Sequence, residues 1–221
     1  MTEIIRNTSL PTDLRQKHNE LNFAWISSQG LIGFEYKEHD DIDETIRLDS
    51  SPYAVCWHQN INRLCHMLPV NFEYQNYTLV DVGCGSAIST IYFLKNYPFK
   101  NFLGFDFSPS LLEMANSNKN HISSQGTNVN NFVLESGDAK TYQLPDQPMV
   151  LFLFNPFGWQ TMKPFIENNI DVLRKNNCII LYVNDVCINE IAKFATVMCR
   201  DEFFNLAVIS FGEILLDNND K

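Results

Sequence analysis

Gly83 and Gly85 close an apolar run, Tyr77-Thr78-Leu79-Val80-Asp81-Val82, and a helix-compatible stretch begins directly after them. A glycine has no Cβ, so the chain can reverse sharply there and a ligand can approach the backbone, with the unpaired N–H groups of the next helix facing it. A second apolar run ends at Gly104-Phe105-Asp106, placing a carboxylate 21 positions beyond the second glycine. A carboxylate there can accept hydrogen bonds from ribose hydroxyls. These residues suit an adenosine-bearing cofactor.

Two features narrow the choice. A dinucleotide fingerprint carries a third glycine three positions after the second, for close helix–strand packing around a pyrophosphate, but Ile88 stands there. Asp81 precedes the first glycine by two residues, and a carboxylate at that turn opposes a pyrophosphate. It welcomes a cofactor carrying an ammonium and a sulfonium.

With these residues in place, the chain resembles the class I S-adenosylmethionine-dependent methyltransferases over roughly its last two-thirds. The resemblance rests on four ordered segments: VDVGCG at 80–85, GFDFSP at 104–109, SGDA at 136–139 and LFLFNPFG at 151–158. The last is similar to a group of small bacterial methyltransferases whose fourth strand ends in Asn-Pro-Phe. By position, the resemblance implies Gly83 and Gly85 beside the methionine moiety, Asp106 on the ribose, Asp138 and Ala139 near the adenine, and Asn155 facing the methyl group.

The residue chemistry is compatible with those roles. Asp138 can accept a hydrogen bond from the adenine amine, although an Asp in a Gly-Asp-Ala stretch also serves as a turn residue. Phe107 can lie against the adenine face or fill the core at a strand end. The Asn155 carbonyl and the Pro156 backbone carbonyl can accept N–H bonds from an amine or amide and aim its lone pair at the methyl. The motif resembles the Asn/Asp-Pro-Pro-Tyr/Phe of nitrogen methyltransferases but lacks the second proline. Tyr36 and Tyr53, in the segment expected over the crevice, are candidates for substrate contact.

The elements needed to position these groups are legible as alternating apolar runs. Strands are predicted near 78–82, 101–105, 131–135, 149–154, 177–183, 195–199 and 204–212, with helices near 87–96, 109–119, 160–175 and 186–193 between them. Arg200-Asp201-Glu202 is too short for a parallel crossover, so the last two strands should pair antiparallel. The polar stretch 116–130 reads as a surface loop. The expected fold is α/β and Rossmann-like: a seven-stranded, mostly parallel sheet with an antiparallel terminal hairpin and helices on both faces. Residues 1–75 form an expected N-terminal helical cap and 76–221 the cofactor-binding core. In the cap, Thr12-Asp13 should open a helix to about Ile26 with Leu14, Leu21, Phe23 and Trp25 partly on one side, and Ser50-Ser51-Pro52 a second from Tyr53 to Met67.

Composition bounds the partners. Sixteen basic against 26 acidic residues give a formal charge of −10, with no Lys/Arg-rich stripe. Bulk nucleic acid would be repelled, so the acceptor is expected to be a small molecule or a protein segment. Six scattered cysteines without a Cys-x-x-Cys pair, and five dispersed histidines, suggest no metal site. Cys84 is expected to pack rather than act as a nucleophile. The acidic run 38–44 lacks the spacing of a calcium loop and reads as solvated. Nothing indicates a membrane span or a secretory signal, and a cytoplasmic location is expected. Two rival readings stay open: a cofactor-binding regulatory or assembly subunit without catalysis, and a nicotinamide-dependent oxidoreductase.

Overall fold

The computed structural model describes residues 10–33 and 49–212. Tyr36 and the acidic run 38–44 lie outside the described residues. Seven strands form one sheet: β1 (Thr78–Val82), β2 (Asn101–Asp106), β3 (Phe132–Ser136), β4 (Met149–Phe154), β5 (Ile179–Val183), β6 (Thr196–Asp201) and β7 (Leu206–Ser210). Their order is β3-β2-β1-β4-β5-β7-β6. β1 to β5 are parallel, and β7 lies antiparallel between β5 and β6, as the short link before it requires.

β1, β4 and β5 are apolar on both faces because both faces are covered. Leu79, Val150, Phe152 and Leu181 point into one core layer, while Val80, Leu151, Leu153 and Ile180 point into the other. The helices supplying those layers are α1 (Thr12–Ser28), α2 (His58–His66), α3 (Ile88–Asn96), α4 (Pro109–Ser124), α5 (Trp159–Lys175) and the single turn α6 (Ile188–Ile191). The strand order reverses between β1 and β4, which opens a crevice at their carboxyl ends.

Three local expectations are corrected. α4 continues through Ser124 where a loop was expected, because its polar sequence hides a buried stripe of Ala115, Asn118 and Ile122 at helical spacing. Its start is as expected: Pro109 is in the first turn and the Ser108 hydroxyl accepts the Leu111 N–H at 3.3 Å. The second cap helix begins at His58 and not at Tyr53, since residues 50–51 are instead paired with the segment after β4: Ser51 N–H donates to the Pro156 carbonyl at 2.9 Å and Ser50 bridges Phe157.

α1 buries a different face from the one expected. Leu21 and Phe23 are exposed, and His18, Asn22 and Ile26 face inward. Thr12 is the first helical residue and no side chain caps the helix. Its docking is largely polar. Trp57 Nε1 donates to Asn19 Oδ1 at 2.7 Å, the His58 N–H to Asn22 Oδ1 at 3.1 Å, and Arg63 to His18 Nε2 at 3.2 Å. Burial, and then the Arg63 charge, hold His18 below its ordinary pKa, which keeps that nitrogen an acceptor.

Asn118 joins three parts of the molecule. Its Oδ1 accepts the Ile32 N–H, and its Nδ2 donates to the Ile32 and Ser86 carbonyls, all at 2.9 Å. The side chain is 1% exposed, so water cannot replace these bonds. Asn118→Ala is expected to lower unfolding free energy by about 2–4 kcal/mol, because buried backbone groups lose their partners. Urea denaturation of the two proteins checks this, and a change below about 0.5 kcal/mol would contradict the linking role.

Candidate functional site

The turn after β1 is held against the end of β2. Gly83 and Gly85 have φ of +70° and +54°, a region glycine enters without strain. The Gly83 and Cys84 N–H groups both donate to the Phe105 carbonyl at 3.0 Å. A Cβ on Gly83 would lie 2.7 Å from the Pro156 side chain, and one on Gly85 would lie 2.2 Å from the Tyr53 ring. Both glycines are therefore required by close neighbours as well as by conformation.

Asp106 is the anchor of this corner. Buried at 4% exposure, it accepts the Gly85 N–H on Oδ2 at 2.8 Å and the Ser108 N–H on Oδ1 at 2.9 Å. Asp81, also buried, accepts the Thr90 hydroxyl at 2.6 Å. Burial pushes the Asp81 carboxyl up to about 7, the nearby Asp106 carboxylate adds to the rise, and the Thr90 bond opposes it.

These groups border a cavity of about 770 Å³, within the range of small-molecule sites. Asp81, Gly83, Asp106, Phe107, Asp138, Ala139 and Asn155 all line it. Gly85 does not: it sits beneath the Tyr53 ring, and its contribution is the N–H held by Asp106. Asp138 has a turn function as well, its Oδ1 accepting the Lys140 N–H at 2.9 Å. The outer wall comes from α1 and residues 50–57. Among the described lining residues, Arg15 on α1 is the only lysine or arginine, against Glu20, Asp81, Asp106 and Asp138. The interior favours a cationic ligand over a diphosphate.

β4 delivers Asn155 to this cavity at φ +40°. Its Oδ1 is buried without a hydrogen-bond partner. The Pro156 carbonyl, expected to accept a substrate N–H, already accepts the Ser51 N–H, and the Gly158 N–H donates to Asp49 O at 2.7 Å. Residues 49–51 thus stitch the N-terminal wall onto the Asn-Pro-Phe-Gly turn.

Tyr53, a candidate for substrate contact, lines the cavity and has a bracing role as well. Its hydroxyl bonds the Gly33 carbonyl and Ser86 Oγ, and burial pushes its pKa up, so the hydroxyl braces the wall while the ring lines the cavity. Cys84 packs as expected: it lies against Gly104, and burial pushes its thiol well above the ordinary range, leaving no reactive thiolate. Asn184, immediately after β5, lines the same cavity and escaped the sequence reading. Its signal was available: like Asn155, it is the polar residue that ends a long apolar run.

Residues 79–176 match a protein-family model described as a methyltransferase domain. Among solved structures, a candidate RNA methyltransferase from Pyrococcus horikoshii is similar at 14% identity and a TM-score of 0.55, over 88% of this chain and 92% of that one. A protein of the NADB-Rossmann superfamily from Streptococcus agalactiae is similar at 14% identity and a TM-score of 0.51, over 73% of this chain and 72% of that one. These likenesses concern the fold. The glycine turn, the β2 carboxylate and Asn155 all fall within residues 79–176, so the stretch that matches the methyltransferase-domain model is the one that builds the cavity on this Rossmann-like sheet.

Proposed function

We propose that this protein transfers a methyl group from S-adenosylmethionine to a nitrogen of a small molecule or a protein segment. The observation that carries the choice of nitrogen is the orphaned, buried Asn155 Oδ1 in the cavity wall. An unpaired buried carbonyl is costly and calls for a hydrogen-bond donor, which an amine or amide N–H supplies while its nitrogen lone pair stays free for the methyl. The Asn-Pro-Phe ending of β4 supports placement among the small bacterial methyltransferases that share it.

The residues present fit the cofactor. Gly83, which lines the cavity without a side chain, leaves its backbone open to the methionine moiety, Asp81 faces its ammonium, and Asp106, which also holds the Gly85 N–H, takes the ribose. Asp138, Ala139 and Phe107 surround the adenine. The cofactor supplies an electrophilic methyl, its C–S electron pair staying on sulfur after transfer. The chain's own task is alignment and exclusion of water: Asn155 orients the acceptor nitrogen, whose lone pair forms the new C–N bond and whose proton passes to solvent. The division into an N-terminal cap, 1–75, and a core, 76–221, is supported by the described residues of the first part, since α1 and residues 50–57 wall the cavity. The formal charge of −10 argues against bulk nucleic acid as acceptor and fits a cytoplasmic enzyme of small or protein substrates.

Calorimetry with S-adenosylhomocysteine tests the cofactor site. Asp106→Ala should weaken binding by about 1.5–3 kcal/mol, since it removes buried, charge-assisted bonds and releases Gly85. Absence of heat from the unaltered protein at sub-millimolar ligand would falsify the reading.

Asp81 gives a pH signature. Its folded pKa is raised, so its contribution to the stability of the ligand-free protein is full below about pH 4 and lost as pH rises through about 7. A bound ammonium favours the ionised form, so binding expels the proton. Homocysteine-nucleoside affinity should fall up to about tenfold between pH 8 and pH 6. Asp81→Asn should flatten that profile, and an unchanged slope would remove Asp81 from the ammonium site.

Asn155→Gly keeps the backbone conformation and deletes the carbonyl. Tritiated-methyl transfer to size-sorted extract fractions should drop about 10- to 100-fold while S-adenosylhomocysteine affinity changes less than about twofold. Signal confined to RNA fractions would overturn the choice of acceptor.

A further inference from the structure

The parallel register of β4 and β5 pairs Phe154 with Val183. Asn155 and Asn184 therefore leave adjacent strands at the same level, with strand spacing of about 4.8 Å. Both adopt left-handed backbone, φ +40° and +59°, and both line the cavity. Each has a buried Oδ1 with no hydrogen-bond partner.

The Asn184 backbone is fixed on every side. Its N–H donates to the Asn205 carbonyl and its carbonyl accepts the Val186 N–H, both at 2.8 Å. The next residue, Asp185, is 3% exposed and paired with Arg200 at 2.6 and 3.1 Å. A backbone held this firmly fixes where the side chain starts, and a cavity-lining residue whose amide oxygen has no partner in the fold is available to a ligand.

Resting on the reading of the cavity as a methyl-transfer site, we infer that the Asn155 and Asn184 carbonyls act as a pair. Together they receive an acceptor nitrogen that carries at least two N–H bonds: a primary amine, amide or amidine. Asn184 adds a second side-chain acceptor, whereas the Pro156 carbonyl already shares its oxygen with the Ser51 N–H. A hydroxyl or thiol offers a single donor and leaves one oxygen unpaired. A neutral monomethylated amine product retains one N–H and likewise leaves one oxygen unpaired, which favours its release after a single transfer.

The test uses matched uncharged fragments, aniline against phenol and benzamide against acetophenone, titrated by NMR into the full chain saturated with S-adenosylhomocysteine. The nitrogen members should bind about fivefold tighter, the scale of one neutral hydrogen bond. Asn184→Gly, which suits the left-handed backbone, should abolish that preference with nucleoside affinity kept within about twofold, and Asn184→Asp should retain it. Equal binding within the pairs of the unaltered protein, no binding of the nitrogen members, or a preference that survives in Asn184→Gly would overturn the proposal. The comparison on the unaltered protein stands even if a variant does not fold. Failure of the nucleoside itself to bind would instead sink the cofactor reading.

Discussion

A single buried carboxylate fixes the geometry of the working edge. Asp106 ends β2, and its two oxygens draw in the Gly85 N–H from the β1 turn and the Ser108 N–H from the start of α4. Two strand ends and a helix start are thereby locked around one charge, in a place where charged hydrogen bonds are strong because water is excluded. The glycines follow from this lock, since the turn must pass beneath Tyr53 and beside Pro156 with no room for a Cβ. So does the helix start, where the Ser108 hydroxyl completes the cap on α4.

Much of this edge was legible because it depends on local signals. Four buried parallel strands and the edge strand β3 begin as apolar runs, and Asp81, Asp106, Asp138 and Asn155 stand at or just beyond four of the five. The misreadings share another cause. α4 looked like a loop because its inner stripe contains an asparagine, and α1 buries His18 and Asn22 while exposing Leu21 and Phe23. Polar residues buried through specific hydrogen bonds are invisible to hydropathy. Asn184 ends an apolar run as Asn155 does, but no motif names it, and the β4–β5 register is what brings it level with Asn155.

The N-terminal wall is bound to the site rather than merely beside it. Residues 49–51 pair with 156–158, Tyr53 covers Gly85 and reaches Ser86 and Gly33, and Asn118 ties Ile32 to Ser86. Change in that wall must therefore reach the glycine turn. Asp81, buried within the central strand β1, rises to about 7 because burial outweighs its bond from Thr90. Among the described lining residues, four carboxyl side chains against one arginine suit a positively charged ligand better than a diphosphate.

The most direct measurement is a crystal structure of the full chain grown with S-adenosylhomocysteine. The nucleoside should lie across the β1–β4 crevice with its ribose against Asp106, its homocysteine arm over Gly83 and its sulfur directed toward Asn155. Density for the nucleoside elsewhere on the molecule, or a crevice filled by the protein's own side chains at saturating ligand, would contradict the assignment.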